Sequence, residues 1–392
     1  MNNGGVSSAL RIAVITAIPT PYRDPFWNVI NKLPEIDIEV IYCARQKGDR
    51  PWSISWEQNY VAHYPKSLNI AKKLGPAASV YWNPDIRTIL SSGRYDGIII
   101  GGYNHPSMLW AIWFARRHKI PYFLASESYL GQKRSGWKQL LKHRLVRSIV
   151  TKAKGCFPTG KLASEYLIHY GAHPDRLCLL PNIPDVDRFY QDARRLSRDR
   201  ANIRERLGIK KRCIIFVGRF IEMKGGHFLI RAFKEIVETT EPNSVELVML
   251  GDGPKRADWE SIVAEEDLSD LVRFPGFQAP EALPEWFAAA DVLCLPSTNE
   301  TWSVVVLEAL SSGLPVVITN RVGCYANAIT GDRVGQVVDA GQVESLVDGL
   351  KKQLALDLSR EEMFTTWKAT RESFSYATVA KRTSKALLDW CR

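Results

Sequence analysis

Short apolar runs alternate with helical patterns through both halves of this chain, and no other feature narrows the choice of fold as much. In the first half the strand-like runs are 11–17, 36–43, 97–101 and 122–125. A helix opens near Asp24 with Pro25 at its first positions, and further helical patterns cover 106–118 and 161–170 ahead of the apolar run 177–180. In the second half the runs are 213–217, 245–250, 272–274, 292–295 and 316–319, again separated by helical segments. Strands that alternate with helices of this length form parallel sheets covered on both faces. At 392 residues the chain is too long for one ordinary core. The turn-forming Pro181-Asn182-Ile183-Pro184-Asp185 and the charged, helix-prone stretch 191–212 mark a break. The expected architecture is α/β: a Rossmann-like domain over 1–185, a second over 186–375, a terminal segment over 376–392, and a cleft between the domains. Ligands in such sheets bind beyond the carboxyl ends of the strands. The loops after Ala17, Gly101, Val217, Leu250 and Leu295 are therefore expected to face that cleft.

Composition excludes several classes. No run approaches the about 18 apolar residues of a membrane span, and the polar, Gly/Ser-rich residues 1–10 lack the apolar core of a signal peptide. A cytoplasmic protein is expected. Seven cysteines, an odd number without a CxxC pair, support neither a disulfide framework nor a zinc or dithiol site. The net charge is +10, and its distribution says more than its total. Between Gln132 and Gly155 stand eight Lys or Arg (133, 134, 138, 142, 144, 147, 152 and 154) and no acid, with Trp137, Leu141, Leu145 and Ile149 recurring every four residues. This basic amphipathic helix is either a solvated face over a core stripe or a contact with an anionic membrane surface through 134–152. No zinc-finger, RRM or helix-turn-helix signature is present, so nucleic acid is not an expected partner.

The stretch from Pro296 to Leu310 carries the most chemistry. Residues 291–295 read as a short buried strand and the polar turn after it carries Glu300. Ser303 is placed as N-cap of a helix over 304–311 that Gly313 stops. One carboxylate thus precedes a helix start and a second, Glu308, lies inside that helix. The unpaired backbone N–H groups at the helix start suit an anion.

Other loops follow strand ends. Gly218-Arg219-Phe220-Ile221-Glu222-Met223-Lys224-Gly225-Gly226 offers two cations, Arg219 and Lys224, beside a helix start, which suits a diphosphate. Gly251-Asp252-Gly253-Pro254 is a tight turn that lets backbone approach closely, and it is not the GxGxxG of a dinucleotide site. Pro275-Gly276-Phe277 is either a wall for a base or an ordinary turn. In the first half His105 sits just before a helix, and Glu127 within Ser126-Glu127-Ser128 lies at the same rim. Asp185-Val186-Asp187 falls in the interdomain turn and reads as a helix cap, not a metal site.

These motifs, in this order and spacing, resemble retaining glycosyltransferases of the GT-B fold, family 4. The resemblance is strongest from Pro181 to Val317. It rests on the linker from Pro181 to Asp187-Arg188-Phe189, on Gly218-Arg219 with Lys224-Gly225, on Gly251-Asp252-Gly253, on Phe274 with Gly276, on Glu300 seven residues before Glu308, and on Gly313-Leu314-Pro315-Val316-Val317. The resemblance implies that Arg219 and Lys224 bind a donor diphosphate and that Glu300 contacts the donor sugar, helped by amides near Trp302 and Ser303. It further implies that Glu308 holds the ribose and that His105 lies near the reacting centre. Gly251 and Phe277 fall on the donor side. The implied reaction moves a sugar from a UDP- or GDP-sugar to a glycan or lipid-linked acceptor, with retention, no bound metal and no cofactor beyond the donor. The last helix would cross back to the first domain. Two departures stand out. The loop after the first strand, Ile18-Pro19-Thr20-Pro21-Tyr22-Arg23, has no glycine where many members are Gly-rich, so Arg23 would supply charge in place of amides; with Glu127 it falls on an acceptor or phosphate side. Thr301 replaces the glycine usual after the first Glu. A nucleotide-sugar 2-epimerase of similar fold and a non-catalytic peripheral membrane protein are the competing readings.

Overall fold

The computed structural model describes residues 9–46, 57–71, 79–130, 137–241, 244–356 and 358–391, with backbone alone for 137–141. The chain divides into two compact units, one of residues 1–182 with 376–392 and one of residues 183–375.

Unit 1 runs β1 (Leu10–Thr16), α1 (Asp24–Ile30), β2 (Ile36–Tyr42), β3 (Val61–His63), β4 (Leu68–Asn69), β5 (Tyr81–Trp82), α2 (Ile86–Ser92), β6 (Gly97–Ile100), α3 (Pro106–Arg117), β7 (Tyr122–Ser126), α4 (Trp137–Thr151), β8 (Gly155–Pro158) and α5 (Lys161–His169). Its six-stranded sheet has the order β3-β2-β1-β6-β7-β8, parallel throughout, and β4 pairs with β5 in a separate antiparallel ribbon. Ile12, Ala13, Val14 and Ile15 are all buried, as expected of a parallel strand covered on both faces. The run 177–180 forms no named strand and makes a single bridge, Leu177 to Cys156.

Unit 2 runs α6 (Val186–Leu196), α7 (Arg200–Arg206), β9 (Arg212–Val217), α8 (Gly226–Thr239), β10 (Val245–Leu250), α9 (Arg256–Glu265), β11 (Val272–Gly276), α10 (Leu283–Ala289), β12 (Val292–Leu295), α11 (Val304–Ser311), β13 (Val316–Thr319), α12 (Tyr325–Ala328), β14 (Gly335–Val338), α13 (Val343–Ala355) and α14 (Arg360–Ser373). Its parallel sheet has the order β11-β10-β9-β12-β13-β14. Asp185 caps α6, its carboxylate accepting from the Arg188 amide at 3.0 Å. Both sheets reverse strand order beside their first strand, the arrangement that opens a ligand crevice at the carboxyl ends.

The final helix, α15 (Tyr376–Cys391), belongs to unit 1 and packs on α1. Trp390 lies against Phe157 at 5.1 Å and Phe123 at 5.8 Å, and Gly155 leaves the space it fills: a Cβ there would stand 2.2 Å from the Trp390 ring. Ser384 donates to Glu35 at 3.0 Å.

The basic helix needs a correction. Among the described side chains of α4, Val146, Ile149 and Val150 are buried, whereas Leu145 is 48% exposed. The core face follows the three-and-four spacing of a helix, not the strict fours that include Leu145. Lys133 and Arg134 lie outside the described residues. Among the described residues no helix is long and apolar enough to cross a membrane.

One buried carboxylate ties the far edge of unit 1 together. Glu39 on β2 accepts from Arg11 Nη2 at 2.5 Å, from Tyr95 Oη at 2.6 Å and pairs with His63 Nε2 at 2.8 Å. Burial pushes its carboxyl up, but Tyr95, His63 and Arg11 together hold it below the usual range. The stability it contributes is present above the ordinary carboxylate range and is lost as pH falls through the lowered value.

Candidate active site

The crevice end of the second sheet is built by backbone contact between loops. After β9 the chain makes one tight turn, Glu222–Lys224, and Gly225 follows at φ +67°. A Cβ on Gly225 would lie 2.3 Å from the Pro296 carbonyl oxygen, so the loop after β12 sits directly on it. The Thr298 amide donates to the Met223 carbonyl at 2.9 Å. Glu300 is held from the other side: its amide donates to Arg321 O at 3.0 Å, and its carbonyl accepts from Gly323 N at 2.9 Å. These bonds bring the Lys224 ammonium onto the Glu300 carboxylate, two side chains that are 16% and 20% exposed.

The loop after β10 is fixed in the same way. Gly251 stands at φ +138°, and a Cβ there would fall 1.8 Å from Gly218 O. Gly251 is therefore required by the neighbouring main chain, whatever else passes it. Arg219 is exposed at the carboxyl end of β9. Phe277, beyond β11, is 75% exposed.

Trp302 and Ser303 stand at the start of α11, with Ser303 at the N-cap position as the sequence placed it. The Trp302 side chain is buried and packs edge-on against Phe374 at 5.9 Å. Ser303 holds the N-cap position of α11 without a side-chain cap bond. Its φ is +150°, a region that glycine enters freely and serine does not, at a cost of about 1–3 kcal/mol. The strained residue stands at the start of the helix that carries Glu308. Gly313, at φ +67°, follows the end of that helix.

Glu308 does not join the Lys224–Glu300 pair. It is half-buried in α11, which packs on α6. Burial pushes its carboxyl up to about 7, against an opposing pull from Arg188.

Unit 1 places its candidates on the loops after β1, β6 and β7. His105 is buried at the start of α3, and its Nδ1 accepts from the Tyr81 amide at 3.2 Å while the two rings pack 5.1 Å apart. An Nδ1 that accepts leaves the proton on Nε2, so the ring presents an N–H donor there. The first turn of α3 is clamped by Asn83, fully buried: its amide nitrogen donates to Cys43 O at 2.9 Å and Lys66 O at 3.0 Å, and its Oδ1 accepts from Ser107 at 2.8 Å. Arg23 and Glu127 are joined through a residue that the sequence analysis treated only as part of a turn. Arg23 Nε donates to Asn182 Oδ1 at 3.1 Å, Arg23 Nη2 donates to the same oxygen, and Asn182 Nδ2 donates to Glu127 Oε1 at 2.7 Å. Burial lowers the Arg23 pKa, with Glu127 pulling the other way.

Residues 199–368 match the family described as Glycosyl transferases group 1, and residues 29–183 match the Glycosyl transferase 4-like domain. The chain belongs to the group 1 glycosyltransferases. A D-inositol 3-phosphate glycosyltransferase of Paenarthrobacter aurescens is 32% identical over 221 residues, covering 56% of this chain and 53% of the relative. A protein of the same description from Corynebacterium jeikeium is 34% identical over 208 residues, covering 51% and 48%. The chain spans about half the length of the curated relatives it matches. Among solved structures, HepE of Anabaena in complex with UDP superposes with a TM-score of 0.74 at 15% identity, covering 97% of this chain and all of the other. Sucrose-phosphate synthase of Thermosynechococcus elongatus gives 0.70 at 19%, covering 97% and 98%. At these identities the likeness shows the fold alone, and that fold is the two-domain α/β GT-B architecture.

Within this group 1 glycosyltransferase the raised Glu308 carboxyl has a measurable consequence. An acid whose folded pKa lies above its unfolded one costs stability as pH rises from its ordinary value to the raised one. Glu308→Gln removes that cost. The variant should gain on the wild type by about 1–2 kcal/mol between pH 5 and pH 8. Paired thermal melts measure the gap, and a gap that does not change with pH contradicts the desolvated carboxyl.

Proposed function

We propose that this chain transfers a sugar from a nucleotide-diphosphate sugar, UDP- or GDP-linked, to a glycan or lipid-linked acceptor, with retention at the anomeric carbon and without a bound metal, in polysaccharide or glycolipid synthesis. The observation that carries this reading is the Lys224–Glu300 pair, held by main-chain bonds at the point where the second sheet reverses its strand order. An ammonium and a carboxylate fixed side by side offer a phosphate partner and a hydroxyl partner in one place. UDP and UDP-glucose bound to HepE support a uridine donor.

In this reading Lys224, with Arg219 from the same loop, neutralises the diphosphate as the glycosidic C–O bond breaks and charge grows on the departing oxygen. The amides at the start of α11 add their partial positive charge. Glu300 accepts hydroxyls of the donor sugar and keeps Lys224 oriented. Glu308 accepts the ribose hydroxyls. The Nε2–H of His105 donates to an oxygen of the transferring sugar, and Arg23 and Glu127 serve the acceptor. The supporting geometry is the fixed ion pair in unit 2 and the fixed tautomer in unit 1.

The test is a thermal-shift screen with UDP-, GDP- and ADP-sugars followed by titration of variants. One donor class should raise the melting temperature. Lys224→Ala should weaken that donor by about 10–100-fold, because a charge-assisted contact to phosphate is lost. Glu300→Ala should slow donor hydrolysis more than it weakens UDP binding, since UDP lacks the sugar. Donor affinity unchanged in Lys224→Ala would overturn the reading.

A second reading concerns place and has its own observation. In unit 1 the helices α3 and α4 expose Trp113 (56%) and Leu145 beside Arg117, Arg144 and Arg147. Aromatic and aliphatic tips among cations suit the cytoplasmic surface of an anionic membrane. Replacing Arg144, Leu145 and Arg147 by Ser together should cut binding to phosphatidylserine vesicles by about tenfold, and binding should weaken with salt. Equal vesicle sedimentation before and after would remove this reading.

A further inference from the structure

The corner between β1 and α1 holds more hydrogen-bonding capacity than the protein uses. Arg23 is the residue before α1, and its guanidinium, which can only donate, has no part in capping that helix. Nε and Nη2 both go to one oxygen of Asn182, and Nη1 makes no hydrogen bond among the described residues. Across the amide, Glu127 uses only Oε1 among the described residues, and its side chain is exposed. Two further polar atoms of the same corner, Thr20 Oγ1 and Trp27 Nε1, are buried without a partner among the described residues. Buried polar atoms are normally paired, so unpaired ones mark a place where water or a ligand belongs.

The amide is what makes the arrangement informative. Arg23 and Glu127 carry opposite charge and sit one side chain apart. In direct contact they would neutralise each other and spend their donors and acceptors. Asn182 presents an oxygen to the guanidinium and an N–H to the carboxylate, so it satisfies one edge of each and leaves the other edge open. Two residues before Asn182 the main chain is anchored, Leu180 N donating to Pro158 O at 2.9 Å beside β8, and the Glu127 turn is closed by Ser128 N donating to Ser126 Oγ at 3.2 Å. A ligand that matches has an anionic group for the planar Arg23 fork and a hydroxyl for Glu127.

We propose that Arg23, Asn182 and Glu127 form an acceptor-recognition site in unit 1 for a polyol that carries an anionic substituent, with Arg23 on the anion, Glu127 on a hydroxyl and Asn182 keeping the two charges apart. It rests on the transferase reading, in which unit 1 receives the acceptor. The probes are glucose, glucose 6-phosphate and glucuronate, titrated by calorimetry into the full chain with saturating UDP, so that the donor-side cations are occupied. Both charged sugars should bind at least about tenfold tighter than glucose; a preference confined to glucose 6-phosphate assigns the site to phosphoryl groups. Arg23→Gln should abolish the preference and leave glucose binding unchanged. Asn182→Asp should abolish it too, because the new carboxylate pairs with Arg23, and its melting temperature should stay near that of the wild type. Glu127→Gln should weaken all three sugars. Equal binding of the three probes, no binding of any, or a preference that survives Arg23→Gln overturns the proposal. If UDP still binds in those cases, the transferase reading stands; failure of UDP itself to bind would count against that reading instead.

Discussion

Main chain pressed on main chain governs the second unit. The loop after β9 touches the loops after β10 and β12 through glycines that have no room for a Cβ, and the loop after β13 touches the Glu300 loop in the same manner. Backbone contacts of this kind cannot adjust by rotamer changes. They set the positions of Lys224 and Glu300, residues from segments far apart in sequence, before any ligand arrives. Fixed dipoles and charges need no reorganisation when charge develops, which is where their catalytic value lies. The strained Ser303 fits this picture, since surrounding contacts must over-determine a residue for it to persist in such a conformation.

The two candidate sites hold opposite charges differently. In unit 2 an ammonium and a carboxylate touch, and each limits the other's freedom. In unit 1 a guanidinium and a carboxylate are separated by an amide, and each keeps an open edge. The first arrangement suits a group that enters and leaves as a polyanion, because the ion pair can reform after departure. The second suits steady recognition of a ligand with two kinds of polar group.

Much of the fold was legible because parallel strands buried on both faces appear as unbroken apolar runs. Val245–Leu250, Val292–Leu295 and Val316–Thr319 match the expected bounds, and β1, β2, β6 and β7 differ from theirs by a residue or two. The short edge strands were not seen. Val61–His63, Gly155–Pro158 and Gly335–Val338 have too few apolar residues to show a period, and pairing with a neighbour is what makes them strands. At the candidate site, strand-end position and residue chemistry singled out Lys224 and Glu300. The joining role of Asn182 and the clamp by Asn83 were invisible, because each depends on partners 17 to 159 residues away. Serine at position 303 gave the composition of a helix cap, whereas its backbone conformation comes from tertiary contact.

The Trp390 contact has a consequence for how the polypeptide matures. Residues 183–375 form one contiguous unit that holds every strand of its own sheet, so it can collapse as soon as it leaves the ribosome. The unit translated first is different. Its sheet keeps an open slot over Phe123, Gly155 and Phe157 until residue 390 is made, more than 230 positions after the last strand that lines it. The earlier-born half therefore finishes later, and for the interval between it presents apolar surface that chaperones and proteases can sense. A ribosome stalled short of the final helix would release a chain with one complete half and one that cannot close.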